Sequence, residues 1–261
     1  MPPSQNLDAY LERIHYKGSL DLSIETLQGL HVGNCLNIPF ENLDIHLGHS
    51  ISLDPDHLFE KIVGQNRGGY CYELNGLFAY ILEELGFKVT GLMARVLIHR
   101  KPEPRNHHVL CVHVDGRDWL VDVGYGGRGL LAPIPIENKQ TEKQFADTIR
   151  LVETPENHWT LQTLIEENWE PQYEFNLAPY RPIDYIPGNY YHSTSPESLF
   201  TRITLCTMPT TDGFIQLRNQ HLTITANGKS VSEKAHSLEE YHRLLKKNFK
   251  IELKGGFTPP W

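Results

Sequence analysis

Cys71 lies within the stretch NRGGYCYELN, residues 66–75, with two glycines just ahead of it and an apolar, leucine-rich run just after. A cysteine used only for packing could sit anywhere in that run. One placed at a helix N-terminus meets unpaired backbone N–H groups and the positive end of the helix dipole, and both favour the thiolate. The placement predicts a nucleophile. A nucleophilic thiol then needs an imidazole within hydrogen-bond reach and a third group to orient that ring.

Both can come from PRNHHVLCVHVDGRDWLVDVGYGG, residues 104–127. Asp115-Gly116 between two apolar alternations is a hairpin signal. A two-residue turn there pairs Val114 with Arg117. One face then collects Leu110, Val112, Val114, Trp119, Val121 and Val123 and is wholly apolar. The other collects His107, Val109, Cys111, His113, Leu120 and Asp122. In this register His107 is the diagonal neighbour of Asp122, roughly 7–8 Å away by Cα. His108 points to the opposite face. A one-residue slip would exchange the two histidines, but it would also bury Asp122 among Leu110, Val112 and Val114 at a cost of several kcal/mol. The pattern selects His107 over His108. An isolated strand Asp is otherwise a solvated edge residue and an isolated His beside a turn has no role, so the pair gains its meaning from Cys71.

These groups must be held by helices first and strands second. Leu7, Tyr10, Leu11 and Ile14 recur at helical spacing, and Ile24, Leu27 and Leu30 follow Ser23 as N-cap. Asp54-Pro55 starts a third helix, and the helix after Cys71 runs to Gly86. From Val89 the period changes to two, with strands expected over 89–99, 108–114, 119–123, 149–154, 158–166 and 169–175. Residues 178–196 read as an irregular connection. Strands over 201–208, 213–218 and 220–225, an Asn227-Gly228 turn and a helix near Leu238–Phe249 close the chain. The expectation is an α+β protein: a helical part at 1–87, an antiparallel sheet or barrel at 88–195, and an α/β part at 196–261.

The chain has 261 residues, 39 % apolar and 21 % charged, as expected of a soluble globular protein. A net charge of −8 argues against nucleic-acid and anionic-membrane partners. No window is apolar enough to span a membrane, and the acidic N-terminal stretch lacks the apolar core of a signal peptide, which points to the cytoplasm. Cys35, Cys71, Cys111 and Cys206 form no C-x-x-C pair and none stands at zinc-finger spacing from a histidine. Neither a metal site nor a disulfide framework is expected.

RGGYCYELN, the upstream IPFENLD (residues 38–44) and the hairpin ending in DWLVDVGYGG closely resemble the arylamine N-acetyltransferases, over about Leu7 to Asp212. The resemblance implies a Cys-His-Asp triad on a fold related to papain-like proteases and transglutaminases, with a helical domain, a β-barrel and an α/β lid. By motif position the triad is Cys71, His107 and Asp122, the same histidine the hairpin register selects. It implies acetyl-CoA as acyl donor and arylamine, arylhydrazine or N-hydroxyarylamine acceptors, by a ping-pong route through an acetyl-cysteine, with no metal. Gly124, Gly126, Gly127 and Asn106 would lie against the coenzyme, and Phe40, Tyr125 and Phe200 would line the acceptor pocket. Arg67 and Glu41 would pair to brace the active-site loop, with Gly68 and Gly69 allowing its tight turn. Tyr125 stands where many bacterial relatives have phenylalanine. The chain would act as a monomer or weak homodimer.

Gln65 stands six residues before Cys71, the spacing of the oxyanion-hole glutamine in papain-like proteases, although backbone N–H groups at Cys71 are the better donors. Two rival readings remain at this point. One is a thiol amidase or acyltransferase of the papain/transglutaminase type acting on another amide or thioester. The other is a binding protein in which Cys71 is inert.

Overall fold

A computed structural model describes residues 3–98, 104–253 and 256–261. The N-terminal helices, Pro3–Arg13 and Ile24–Asn37, form where the helical spacing places them, and the Ser23 side chain caps the second by accepting the Thr26 N–H. Asp54 caps Pro55–Phe59, and a π-helical turn, Glu60–Gly64, leads into the loop before the helix Cys71–Leu85. That helix stops at Gly86, whose φ of 99° lies in the left-handed region open to glycine.

The central sheet has eight antiparallel strands, ordered in space Ile134–Pro135, Arg117–Val121, His107–Val114, Lys88–Val96, Asn168–Phe175, Trp159–Ile165, Asp147–Glu153 and Thr141–Gln144. It curls nearly into a barrel. From one edge strand, the Gln144 amide accepts the Leu131 and Ala132 N–H groups (2.9 and 3.0 Å) and donates to the Ala132 carbonyl (2.8 Å), beside the other edge. The hairpin has the expected register, Val114 opposite Arg117 and Leu110 opposite Val121. Its two faces belong to different cores. Leu110, Val112, Val114, Val121 and Val123 pack with the helices, whereas Val109, Cys111 and Leu120 fill the barrel.

A second antiparallel sheet is ordered Phe40–Glu41, Leu205–Thr210, Gly213–Arg218, His221–Ala226, Lys229–Lys234. The helix Leu238–Phe249 covers it through Tyr241, Leu244, Leu245 and Phe249.

Three expectations are corrected. Residues 178–196 are largely helical, a 3-10 turn Pro182–Tyr185 running into the helix Ile186–Thr194. Both prolines there sit in first turns, where no amide hydrogen is needed, and Asp184 caps the start by accepting the Arg181 N–H at 2.7 Å. The strand expected over 201–208 starts only at Leu205, because Ser198 caps a one-turn helix, Leu199–Arg202. The first strand of the barrel ends at Val96, and residue 99 of its expected span lies outside the described residues.

Candidate active site

The loop before Cys71 is shaped by close approach. A Cβ on Gly68 would lie 1.9 Å from the Pro39 carbonyl oxygen, and one on Gly69 would lie 2.7 Å from the Glu73 Cβ. Neither glycine has a positive φ, so tight packing and not a left-handed turn demands them. Tyr70 is extended and Cys71 is the first helical residue. The Tyr70 N–H donates to Glu73 Oε2 at 3.0 Å, which completes the helix start.

Under this loop lies a chain of buried charges. Arg67 donates through Nε to Glu41 (2.9 Å) and through Nη2 to Asp44 (2.9 Å). Lys61 Nζ reaches Asp44 at 2.8 Å and Glu73 at 2.7 Å. Burial works against ionisation of Asp44, yet Lys61 and Arg67 hold its carboxyl below the usual range. Burial pushes Glu73 up to about 7, with Lys61 opposing. The expected Arg67–Glu41 pair is therefore present as part of a larger network that also takes in Asp44, Lys61 and Glu73.

His107 and Asp122 meet on the face the register assigns them, His107 Nε2 and Asp122 Oδ2 being 2.7 Å apart. Burial alone would push the imidazole down. The Asp122 charge and hydrogen bond overcome that and raise it to about 10, with Cys71 adding in the same direction. Burial disfavours the Asp122 carboxylate in turn, but His107, Asn75 and the Gly124 N–H hold it below its ordinary range. Because Nε2 faces the carboxylate, Nδ1 is the nitrogen left for the thiol. The Tyr125 and Tyr173 rings flank the imidazole, with centroids at 5.4 and 5.1 Å.

Further side chains hold Asp122. Its N–H donates to His31 Nε2 at 3.2 Å, and Asn75 Nδ2 donates to its Oδ1 at 2.9 Å. The sequence reading passed over both. Asn75 had a signal, since it stands one helical turn after Cys71 and so shares its face. His31, 91 residues away in sequence, had none.

The other expected residues divide into two groups. Phe40, Tyr125, Gly126 and Gly127 line a cleft that reaches Asp122 and passes between the barrel and Thr207, Pro209 and Phe214 of the second sheet. Gly126 has φ of 72°, and a Cβ there would strike the Phe40 ring at 2.7 Å. Phe200 packs on Phe40 and Tyr70 at 5.9 and 5.8 Å. Gly124 and Asn106 instead pack around the thiol. A Cβ on Gly124 would lie 2.9 Å from Cys71 Cα, and the Asn106 carbonyl stands 4.0 Å from Cys71 Sγ while accepting the Tyr72 hydroxyl at 2.9 Å.

His108 lies on the opposite face, stacked on Tyr185 at 3.9 Å, and burial followed by the His107 charge lowers it to about 3. Gln65 is exposed and donates to Glu60 at 3.3 Å, away from Cys71. All four thiols are free. Burial raises Cys35 and Cys206, and raises Cys111 to about 12. Among the described residues no cluster of His, Cys, Asp and Glu could hold a metal ion, and no helix is long and apolar enough to cross a membrane.

A buried, oriented imidazole beside a thiol at a helix N-terminus can activate that thiol for acyl transfer. Comparison with known proteins agrees with such chemistry. Residues 23–257 match the family described as N-acetyltransferase, a match that continues past Asp212 almost to the end of the chain. An arylamine N-acetyltransferase of Escherichia coli is 34 % identical over 259 residues, 97 % of this chain and 92 % of that protein. The solved arylamine N-acetyltransferase of Salmonella typhimurium superposes with a TM-score of 0.91 at 34 % identity, covering 97 % of this chain and 94 % of that one. That of Mycobacterium marinum in complex with CoA superposes with a TM-score of 0.88 at 31 % identity, covering 94 % and 92 %.

Proposed function

Because this chain belongs to the arylamine N-acetyltransferase family, we propose that Cys71, His107 and Asp122 are the groups through which it works. The reaction is acetyl-CoA-dependent N-acetylation of arylamines. Arylhydrazines, whose terminal nitrogen offers the same lone pair, extend the acceptor class.

The Cys71 thiolate attacks the thioester carbonyl of acetyl-CoA, and a carbon–sulfur bond forms as the carbonyl oxygen takes up negative charge. Collapse breaks the bond to CoA, which leaves as a thiol with the proton His107 carried. The arylamine then attacks acetyl-Cys71 and passes its proton to His107, and the Cys71 thiolate departs. Asp122 keeps the imidazole in one orientation and supports its cationic form in both halves. Gly126 and Gly127 admit the coenzyme along the cleft, and Phe40, Tyr125 and Phe200 supply apolar walls for the aromatic acceptor. The same reading divides the chain into units at 1–87, 88–195 and 196–261.

The observation that carries this reading is the 2.7 Å contact between His107 and Asp122, buried beside a thiol at the first residue of a helix. Acetyl-CoA without amine should release about one equivalent of CoA per active site and then stall. Mass spectrometry should place the acetyl group on the Cys71 peptide alone, and Cys71→Ala should abolish both the burst and the adduct. Reciprocal plots that intersect, with no adduct, would mean direct transfer in a ternary complex and would remove Cys71 from the mechanism.

A further inference from the structure

We infer that Asn75 is a positioning residue, a clamp that docks the helix carrying Cys71 onto the strands carrying His107 and Asp122 and so sets the distance between thiol and imidazole. The inference rests on the triad proposed above.

Asn75 is fully buried, and its side chain is bonded on every side. Nδ2 donates to the His108 carbonyl at 2.7 Å and to Asp122 Oδ1 at 2.9 Å, and Oδ1 accepts the Val123 N–H at 2.9 Å. The partners determine which way the amide points. Turned over, it would set its oxygen against a carbonyl and a carboxylate and its NH2 against an N–H. Three links leave one side chain for three successive features of the site: the main chain next to His107, the carboxylate that orients His107, and the turn that follows Asp122. Asn75 also stands one helical turn after Cys71 on the same face, so these links act directly beneath the thiol. The fit is close, since a Cβ on Gly124 would lie 2.9 Å from both Cys71 Cα and Asn75 Nδ2. A leucine would fill such a position more cheaply if packing were its only purpose, because a buried amide is costly unless every bond is made.

Asn75→Asp separates positioning from packing, since the two side chains have the same shape. The variant keeps the acceptor for the Val123 N–H, loses both donors, and sets a second carboxylate against Asp122. Two such carboxylates cannot both ionise, so the pair takes up one proton at a raised pH. Once that proton is bound, a hydroxyl again donates to Asp122, and this link of the clamp is restored while the one to the His108 carbonyl stays lost. The groups facing the pair are His31 and Cys35 on one helix, His107 and His108 on the strand, Cys71, and the Tyr125 and Tyr173 hydroxyls. Burial keeps His31 and His108 neutral, at about 4 and about 3, and keeps Cys35, Tyr125 and Tyr173 protonated. His107 is thus the one cation at the pair between pH 6 and 8.

The experiment measures alkylation of the Cys71 peptide by iodoacetamide, alongside acetyl transfer, from pH 5.5 to 8.5 in the wild type, Asn75→Asp and Asn75→Ala. Alkylation reads thiol activation with no acetyl-CoA present, so a wild type that fails to transfer acetyl tells against the proposed function and leaves this test intact. At pH 8 both variants should lose tenfold or more in alkylation and in kcat, with the KM for acetyl-CoA changed less than threefold. The ratio of Asn75→Asp to wild type should climb about tenfold between pH 8 and 6, whereas that of Asn75→Ala should stay flat. A flat ratio for Asn75→Asp, or either variant within threefold of wild type at pH 8, overturns the inference. Should Asn75→Asp fail to fold, the alanine variant decides by the same threshold.

Discussion

His107 and His108 adjoin in the chain and point to opposite faces of one strand, and their surroundings drive their protonation in opposite directions. Burial acts against the charged form of both. His107 faces the Asp122 carboxylate and is held up at about 10, whereas His108 faces the Tyr185 ring and falls to about 3. Of the two, His107 is the one that holds a proton near neutral pH, as the role proposed for it beside Cys71 requires. His107→Gln should therefore lower kcat for acetyl transfer by a thousandfold or more, in the range expected when a general base is removed. His108→Gln should lower it by well under a hundredfold. Single-turnover rates of CoA release compare the two directly, and reversed losses would mean the roles are exchanged. The pairing of His107 with Asp122 was legible in the sequence, because Asp115-Gly116 and a strict period of two leave one register that keeps Asp122 off the apolar face. What holds Asp122 was not legible. His31 reaches it from a helix with no sequence cue, and the Asn75 amide is silent in a pattern that records only apolar and polar positions.

The helix Cys71–Leu85 and the loop before it show how glycine can be required by a neighbour's position. At Gly68 the Pro39 carbonyl occupies the place a methyl group would take, and both groups belong to backbone that cannot swing aside. Gly68→Ala should cost about 2 kcal/mol, as overpacking does, and lower the melting temperature by roughly 4–8 °C. Gly228→Ala, with a positive φ and nothing nearby, is the control and should lose about half as much. Calorimetry of the two would settle the order, and equal losses would contradict the steric account. Elements with strong periodicity or a clear turn signal came through in the sequence, among them Leu238–Phe249 and the Asn227-Gly228 turn. Those set by capping alone did not. Pro182–Tyr185, Ile186–Thr194 and Leu199–Arg202 are rich in proline, tyrosine and serine; Asp184 caps the first, the second continues from it, and Ser198 caps the third, so local caps and not residue preference start them. The all-exposed strand Lys229–Lys234 carries no alternation to detect.

Among the described residues three apolar cores form, and the first draws on the helices, on the hairpin and on Met93, Leu131 and Tyr185, so the helices complete their interior against the strands. Within and between these cores four histidines are pushed down, chiefly by burial: His31 and His192 to about 4, His108 to about 3, and His46 below its ordinary value. Unfolded, each would titrate near 6.5. Between pH 6.5 and about 4 the unfolded chain therefore takes up protons that the folded one refuses, and stability falls as pH falls. His107, raised to about 10, contributes fully below pH 6.5 and loses its contribution only as pH rises toward 10, so it does not offset the acid loss. Glu73, raised to about 7, gains stability as pH falls toward 4.5 and offsets part of it. The melting temperature should drop by roughly 7–14 °C from pH 7 to pH 5, with about two to three protons taken up net per molecule on unfolding at pH 5. A melting temperature that is flat over that range, with no net proton uptake on unfolding, would contradict the neutral state of these rings in the fold.

Phe40 and Glu41 form the edge of a sheet whose neighbouring strand lies far along the chain, Phe40 opposite Thr207 and Glu41 opposite Cys206. At synthesis rates of about 5–20 residues per second, roughly ten to thirty seconds separate the two partners' emergence from the ribosome. Through that interval Glu41, which anchors Arg67 beneath the loop of Cys71, is held on one side by the Gly69 carbonyl and lacks its strand partner on the other. The cysteine proposed as nucleophile is thus translated well before the strand that completes the sheet beside its loop.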